Sequence, residues 1–523
     1  MNVKNSHCMN RTRNMILALA MTIFATAPLS AQISEGSDAV LYDKYQNALR
    51  TNFWQDGSNP VGIRQDRSFE RIAHAALSGN MSAGGFRQSH EASLPWSVGA
   101  HAESIVHLDK FSMQGSFSFE QMQGSDMCGS MFVNPGYYPI DALEFTPGRK
   151  IRQTYAFDGA ISVDVAPQWR VGAGIDFTSA NLSKRKDVRH SNYLLDMSVT
   201  PGVIWHSGNN SIGLNAVLRK TTDTPTAKQI GTKETYTAFL DKGLYYGKLE
   251  DWEGSGLHLS ENGVNGLPVK EIFGGAGIQM QIGNMFMEFE YQRGNGTIGE
   301  KQYIWYRFPS HNFSYVFGQR WDRGSMTHDL RLRLQGRKMT NNESVLEKVT
   351  VGGVSTTVQH GSNQILARTD MSVRVEYSFM TDKDEFVLRS GIDERVSTVS
   401  QMYPYVTDQS RMQWISAVGY TRHAGPVDIA VGAGYMGGMV DENDRLVSED
   451  SGVTSELLRL EDYYQMDIEY STANRVNLGA CVTYDFWKGL YAKATVDYTR
   501  AFKVTVLPGA DRVSASLGIG YNF

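Results

Sequence analysis

The chain has 523 residues, 41% hydrophobic and only 20% charged, with a formal net charge of −5 and a mean hydropathy of −0.34. Beyond the first thirty residues no unbroken apolar run reaches the about 20 residues that a membrane-crossing helix needs, which excludes a helical membrane protein, and the weakly acidic balance argues against a nucleic-acid partner. Fifty-one glycines and 57 aromatic residues against 14 prolines disfavour a disordered chain and point to strands and turns.

The chain opens like an export signal. Lys4, Arg11 and Arg13 precede an apolar stretch from Met15 to Phe24, which ends at Ala27-Pro28-Leu29-Ser30-Ala31. A basic start, a short greasy run and a small residue before the cut define a secretory signal peptide over 1–31. Cleavage after Ala31 removes Cys8 and takes the net charge from −5 to −8. The mature chain keeps Cys128 and Cys481, which lack both the density of a disulfide framework and the spacing of a metal site. No cofactor is indicated.

Residues 32–68 follow a different pattern. Leu41, Tyr45, Ala48 and Leu49 recur at helical spacing, and the irregular run Phe53-Trp54-Gln55-Asp56-Gly57-Ser58-Asn59-Pro60-Val61-Gly62-Ile63 comes next. This segment reads as a short helix and a plug, with Asn59, Pro60 and Gly62 as its candidate residues; a periplasmic extension is the plainer alternative.

From residue 69 to 523 a period of two takes over. Trp96, Val98, Ala100 and Ala102 alternate with Ser97, Gly99, His101 and Glu103; across Asp109-Lys110, Phe111, Met113, Phe117 and Phe119 alternate with polar residues. In a two-residue hairpin Val106 stands opposite Met113, so both apolar sets share a face. The same test succeeds across Ala166-Pro167-Gln168, across Gly283-Asn284, and for Tyr484 and Ala492 across a five-residue turn. Such segments number about 18, with 14–18 plausible, starting near Phe69, Trp96, Phe111, Ile151, Trp169, Tyr193, Ile212, Ile272, Met285, Phe313, Thr327, Asp370, Glu385, Met412, Val427, Val476, Leu490 and Val513. Their turns alternate short with long, the long ones over 123–150, 220–270, 339–367 and 438–474. That is the signature of an all-β, transmembrane, antiparallel up-and-down barrel in a bacterial outer membrane. Trp169, Trp205, Trp321 and Trp487 beside short turns, and Trp96 and Trp414 at the starts of descending strands, suit aromatic belts. The last strand ends at Tyr521 and Phe523, which resembles the C-terminal signal read by the barrel assembly machinery.

Charges on the wet face should point inward, because an arginine in the lipid midplane costs about 2–4 kcal/mol. The expected lumen lining includes His101, Glu103, Asp158, Arg170, Asp176, Glu288, Glu290, Arg331, Arg333, Arg337, Arg374 and Glu376. Arg331, Arg333 and Arg337 form a ladder suited to anions, with Glu288, Glu290, Asp370 and Glu376 on nearby strands as ion-pair partners. His101, Glu103 and His107 share one face of one strand, and a metal site there needs ligands from neighbouring strands. No catalytic constellation emerges. The aromatic loop over 220–270, with Tyr236, Phe239, Leu244, Tyr245, Tyr246 and Trp252, is expected to cover the mouth or meet a partner or glycan, with packing of the loop on itself as an equal alternative.

Asn59-Pro60-Val61-Gly62-Ile63 resembles the Asn-Pro-Ala hatch motif of FadL-type hydrophobic-compound channels, with Val61 in place of Ala. Over 38–523 the chain resembles a Bacteroidota outer-membrane barrel family labelled only as a domain of unknown function. The resemblance implies fold and location and supplies no ligand. The expected function is a porin-like channel or a solute-binding, uptake-associated barrel. Its partners are outer-membrane lipid, the assembly machinery, and a solute or envelope protein. A rim-located hydrolase of lipid or peptide, and a sealed partner-binding barrel, are the alternatives.

Overall fold

The computed structural model describes residues 52–65, 69–186, 189–227, 235–253, 256–257, 266–300, 303–401, 405–443, 445–446 and 455–522. The signal peptide, the helix expected before residue 52 and Phe523 lie outside these residues. In the first half of the chain the wall is built from β1 (Arg71–Gly84), β2 (Trp96–His107), β3 (Phe111–Ser130), β4 (Asp141–Ala166), β5 (Trp169–Lys184), β6 (His190–Ser207) and β7 (Asn210–Ala227). Three short strands, β8 (Thr235–Asp241), β9 (Gly247–Glu253) and β10 (Gly256–Leu257), form a flap that pairs with the outer end of β4. The wall resumes with β11 (Val269–Ile282), β12 (Met285–Glu300), β13 (Tyr303–Arg323), β14 (Met326–Val351), β15 (Val354–Met380) and β16 (Asp384–Ser400). It ends with β17 (Val406–Ala424), β18 (Val427–Glu442), β19 (Arg475–Trp487), β20 (Leu490–Ala501) and β21 (Asp511–Asn522). Each wall strand pairs antiparallel with the next, β7 bridges to β11, and β21 returns to β1 with Tyr521 opposite Ala75, so 18 strands close the barrel.

Alternation dictates which face is which. Leu77, Val98, Phe157, Leu214, Ile278, Leu388 and Val418 are exposed on the outer surface, while Ser112, Asn215, Gln279, Glu290, Ser314 and Ser378 are buried on the inner one. The hairpin registers follow: Val106 faces Met113, Phe157 faces Phe177, and Met280 faces Met287. Tyr484 faces Ala492 as expected, but the turn is the two residues Lys488-Gly489, and a bulge between Asp485 and Trp487 absorbs the rest. Gly489, at φ +91°, suits the left-handed turn conformation.

The outer strand ends run past the sequence reading. The stretch 339–367, expected as a loop, is a continuous hairpin that turns at Gly352-Gly353, and 123–150 is mostly β3 and β4. Alternation is legible only where the outer face must be apolar. Above that band both faces are polar, as at Thr340-Asn341-Asn342-Glu343-Ser344, and the pattern vanishes although the ladder continues. Trp96, Trp169, Trp321 and Trp487 lie exposed on the outside, and Trp205 stands beside Trp169 in register. Trp414 is not at a strand start: β17 begins at Val406, and Trp414 lies within it at nearly the height Trp96 has on β2. One further correction concerns 438–474, which holds an 18-residue helix, α1 (Ser455–Thr472).

Candidate functional site

The N-terminal segment enters the barrel as two 3₁₀ turns, Phe53–Asp56 and Pro60–Arg64. The same device starts both: the side-chain oxygens of Asn52 and Asn59 accept the N–H groups of Trp54 and Val61, each at 3.1 Å, and Pro60 presets the second turn. Gly62 is required by close packing, because a Cβ there would lie 2.7 Å from the Cβ of Trp54.

Inward-facing wall glycines make room for the segment. An added Cβ at Gly174 would meet Pro60, at Gly202 Asn59, at Gly213 both Asn59 and Trp54, and at Gly318 Phe53. Phe53, Trp54 and Val61 then complete an apolar cluster with Ile204, Phe286 and Val316. Polar contacts fix the register of this docking. Asn59 donates to Gln279 Oε1 at 2.9 Å, and the Ser58 N–H donates to Glu288 at 2.9 Å. Trp54 Nε1 donates to Gln281 at 2.5 Å, and Asp56 pairs with Arg331. Arg64, fully buried, donates through all five of its N–H groups: to both oxygens of Asp164, to the carbonyls of Leu108 and Asp109, and to Ser112 Oγ. These contacts fall on β3–β7 and β11–β14, near the short turns.

A cavity of about 760 Å³ lies beneath the long loops at the other end. Its roof is the loop 131–140, the tip of the flap at Asp241–Tyr245, and α1, which presents Tyr463, Tyr464 and Tyr470. Wall side chains hold this roof down. Arg368 donates to the carbonyls of Gly136 and Tyr137, and Arg337 lies over the Tyr137 ring at 4.3 Å. Arg411 pairs with Asp467 of α1 at 2.9 Å, and Gln413 donates to the Ser471 carbonyl at 2.7 Å. Glu469, at the far end of the helix, accepts the N–H groups of Thr505, Val506 and Leu507. Above the apolar band, Asp141 stands opposite Asp241 where the flap joins β4. Desolvation pushes their carboxyls up, to about 8 and about 7, and for Asp141 the charge of Asp241 adds to the effect.

The expected lining residues therefore divide. Arg333 and Arg374 reach the cavity, Arg374 paired with Asp393 and Arg333 donating to the Asp56 carbonyl at 3.5 Å. Arg170, Glu288 and Arg331 hold the N-terminal segment, and Glu290 accepts from Gln292 at 2.7 Å. Glu376 pairs with Arg389, and Asp158 accepts from Ser116 and Asp176 from Ser198. Two members of the arginine ladder are ion-paired, Arg331 with Asp329 and Asp56 and Arg337 with Glu271, while Glu376 and Asp370 stand directly opposite them on β15. Glu288 and Glu290 on β12 are instead taken up by Ser58 and by the amides of Asn215 and Gln292. His101 and Glu103 lie 3.4 Å apart on the wall. A hydroxyl–imidazole pair exists between Ser112 and His107, at 2.8 Å, but Ser112 is fully buried and its oxygen also accepts from Arg64, which leaves no approach for a substrate. Within the 220–270 loop, Phe239 and Tyr246 are buried; the side chains of Tyr236 and Trp252 lie outside those described.

Sequence reasoning missed Arg64 and the docking glycines, because their partners come from strands scattered along the chain. It missed α1 too, although Leu460 and Tyr464, buried at helical spacing, carried the signal.

Residues 60–523 match the model of a family described only as a family of unknown function (DUF6850). No curated protein matches the sequence. Among solved structures, the chain is similar to a mutant ferric enterobactin receptor from Pseudomonas aeruginosa: 10% identity, 86% of this chain and 80% of that one, TM-score 0.38. The FrpB iron transporter from Neisseria meningitidis gives 8% identity, coverage of 89% and 83%, and a TM-score of 0.40. The outer membrane protein OpdK from Pseudomonas aeruginosa gives 9%, 87% and 98%, and 0.32.

Proposed function

Since this chain belongs to the family of unknown function DUF6850, we propose from its own geometry that it is an outer-membrane barrel that admits a small polar solute to the cavity beneath its outer loops, with residues 52–65 as the plug of the periplasmic end. The observation that carries this reading is the cavity itself, set in the lumen between a roof pinned by wall side chains and a segment docked in a glycine-lined groove. Its volume lies within the about 300–1,000 Å³ of small-molecule sites. Arginine–aspartate pairs beside tyrosine faces suit a solute rich in hydrogen-bonding groups, such as a sugar or a short peptide.

The outward apolar band supports a bilayer as surroundings, and the basic, then greasy, first thirty-one residues support export. The terminal alternation ending in Tyr521 and Phe523 supports insertion by the barrel assembly machinery. A Bacteroidota origin and a hatch role for Asn59-Pro60-Val61-Gly62 belong to this same reading. Closure at both ends also favours a second reading, a sealed barrel that binds an envelope protein through its loops.

The test is solute flux and binding. Proteoliposomes carrying the full chain, a version lacking 52–65, and one lacking both 52–65 and α1 are assayed for uptake of sugars and dipeptides, with calorimetric titration of the same solutes. Saturable binding weakened by Arg374→Ala, and flux that rises as each closure is removed, support the proposal. No binding and no flux in any version would leave the sealed barrel.

A further inference from the structure

The half of the wall opposite the docking groove carries a separate cluster. Strand register sets His74 of β1 directly across from Glu103 of β2, and His101 follows two residues along on the same inward face. One ligand-type atom from each of the three lies within 4.8 Å of the others, and His101 Nε2 is 3.4 Å from Glu103 Oε1. A tetrahedral zinc ion with bonds of about 2.0–2.1 Å separates its ligand atoms by roughly 3.4 Å. One edge thus already has the required length, and the remaining edges, none longer than 4.8 Å, close by at most about 1.4 Å, within the reach of side-chain rotations about a fixed ladder.

We propose that His74, His101 and Glu103 form a binding site for a divalent transition-metal ion of the zinc class on the lumen wall. Two imidazoles and one carboxylate are the donor set of such ions, whereas an all-oxygen set would point to calcium or magnesium. The surroundings fit. The hydroxyl of Tyr491 on β20 lies 2.5 Å from His74 Nε2, with the two rings stacked at 5.8 Å, a partner of the kind that orients a ligating imidazole. His74 is buried, whereas the His101 side chain is 38% exposed and gives the ion a way in from lumen water. Ser116 and Ser118 on β3 stand opposite Glu103 and His101 in register, so the third strand presents small polar side chains and no bulky group to the cluster. A simple His–Glu ion pair accounts for the 3.4 Å contact but does not require a second imidazole from the next strand at ligand distance.

The experiment uses the folded full mature chain in detergent, stripped with a chelator and titrated with zinc chloride against a chromogenic competitor. One tight equivalent is expected. His101→Ala and His74→Ala should weaken it at least about 100-fold, and Tyr491→Phe about 10-fold. His360→Ala, which removes an exposed imidazole beside Glu347 on the outer hairpin, should leave it unchanged. Glu103→Gln keeps the side-chain shape, so its loss of binding is read without a loss of fold, which heat-shifted gel migration verifies for every variant. Cobalt substituted into the unaltered chain should give the intense visible bands of a four- or five-coordinate site and lose them on adding zinc. Absence of a tight equivalent in the unaltered chain overturns the site, and so does unchanged affinity in folded Glu103→Gln and His101→Ala.

Discussion

Arg64→Ala is the most informative perturbation of the N-terminal segment. The guanidinium spends all five N–H groups inside the barrel, and losing one member of a buried ion pair costs about 3–5 kcal/mol. Here the lower end applies, because Asp164 keeps Arg170, whose Nε donates to it at 3.1 Å, and is not stranded. About 3 kcal/mol corresponds to a rise of roughly a hundredfold in the fraction of molecules whose segment has left its groove. Val61→Cys reports that fraction: the position is fully buried, and the native Cys128 and Cys481 are buried as well. With reclosing fast, the rate of labelling by a water-soluble thiol reagent follows the open population. Adding Arg64→Ala to Val61→Cys should therefore speed labelling about a hundredfold. Arg64→Lys should speed labelling nearly as much, since one ammonium cannot reach acceptors on one turn and two strands. A change of less than about threefold in a properly folded barrel would refute the idea that Arg64 latches the segment.

Three further outcomes follow from the geometry. Val418→Arg, on the outer face opposite Leu388, should cost about 2–4 kcal/mol in urea unfolding from lipid vesicles, whereas the inward neighbour Ala417→Ser should cost far less; equal costs would mean the faces are misassigned. Asp141 and Asp241 hold their protons more tightly in the closed roof than at the ordinary 3.8, so closure takes up protons. Its stability is fully present below about pH 4 and is lost as pH rises through about 7 to 8. Hydrogen exchange over residues 238–243 should thus quicken, beyond the intrinsic trend, between about pH 5.5 and about pH 8.5, and the double variant Asp141→Asn, Asp241→Asn should flatten that dependence. Glu144→Gln leaves the buried Lys150 and Lys184 without their shared carboxylate and should cost about 3–5 kcal/mol in thermal unfolding; a loss below about 1 kcal/mol would show that the two lysines find other partners.

Where side chains alternate between an apolar and a polar surroundings, the sequence reading reached single-residue register, as at Val106 and Met113. It failed where that constraint ends. The outer continuation of β14 and β15 has no apolar face to mark it, so it passed for a loop. The docking groove was invisible for a different reason: Gly174, Gly202, Gly213 and Gly318 each look like ordinary strand glycines, and only closure of the wall gathers them around residues 53–60. The partner of His101 was hidden likewise, because His74 sits on the neighbouring strand and no local spacing links the two. Asn59-Pro60 marked the segment in the sequence, yet nothing local marks Arg64 as its buried anchor.

The central claim is that every second residue of the wall meets lipid and the others meet an enclosed aqueous interior. A nitroxide placed in turn along residues 154–163 of β4, in a barrel reconstituted into vesicles, tests it through collision with oxygen and with a water-soluble nickel chelate. Tyr155, Phe157, Ile161 and Val163 should favour oxygen, and Ala156, Asp158, Ala160 and Ser162 should not. A uniform profile, or nickel access at Phe157 equal to that at Asp158, would contradict the account.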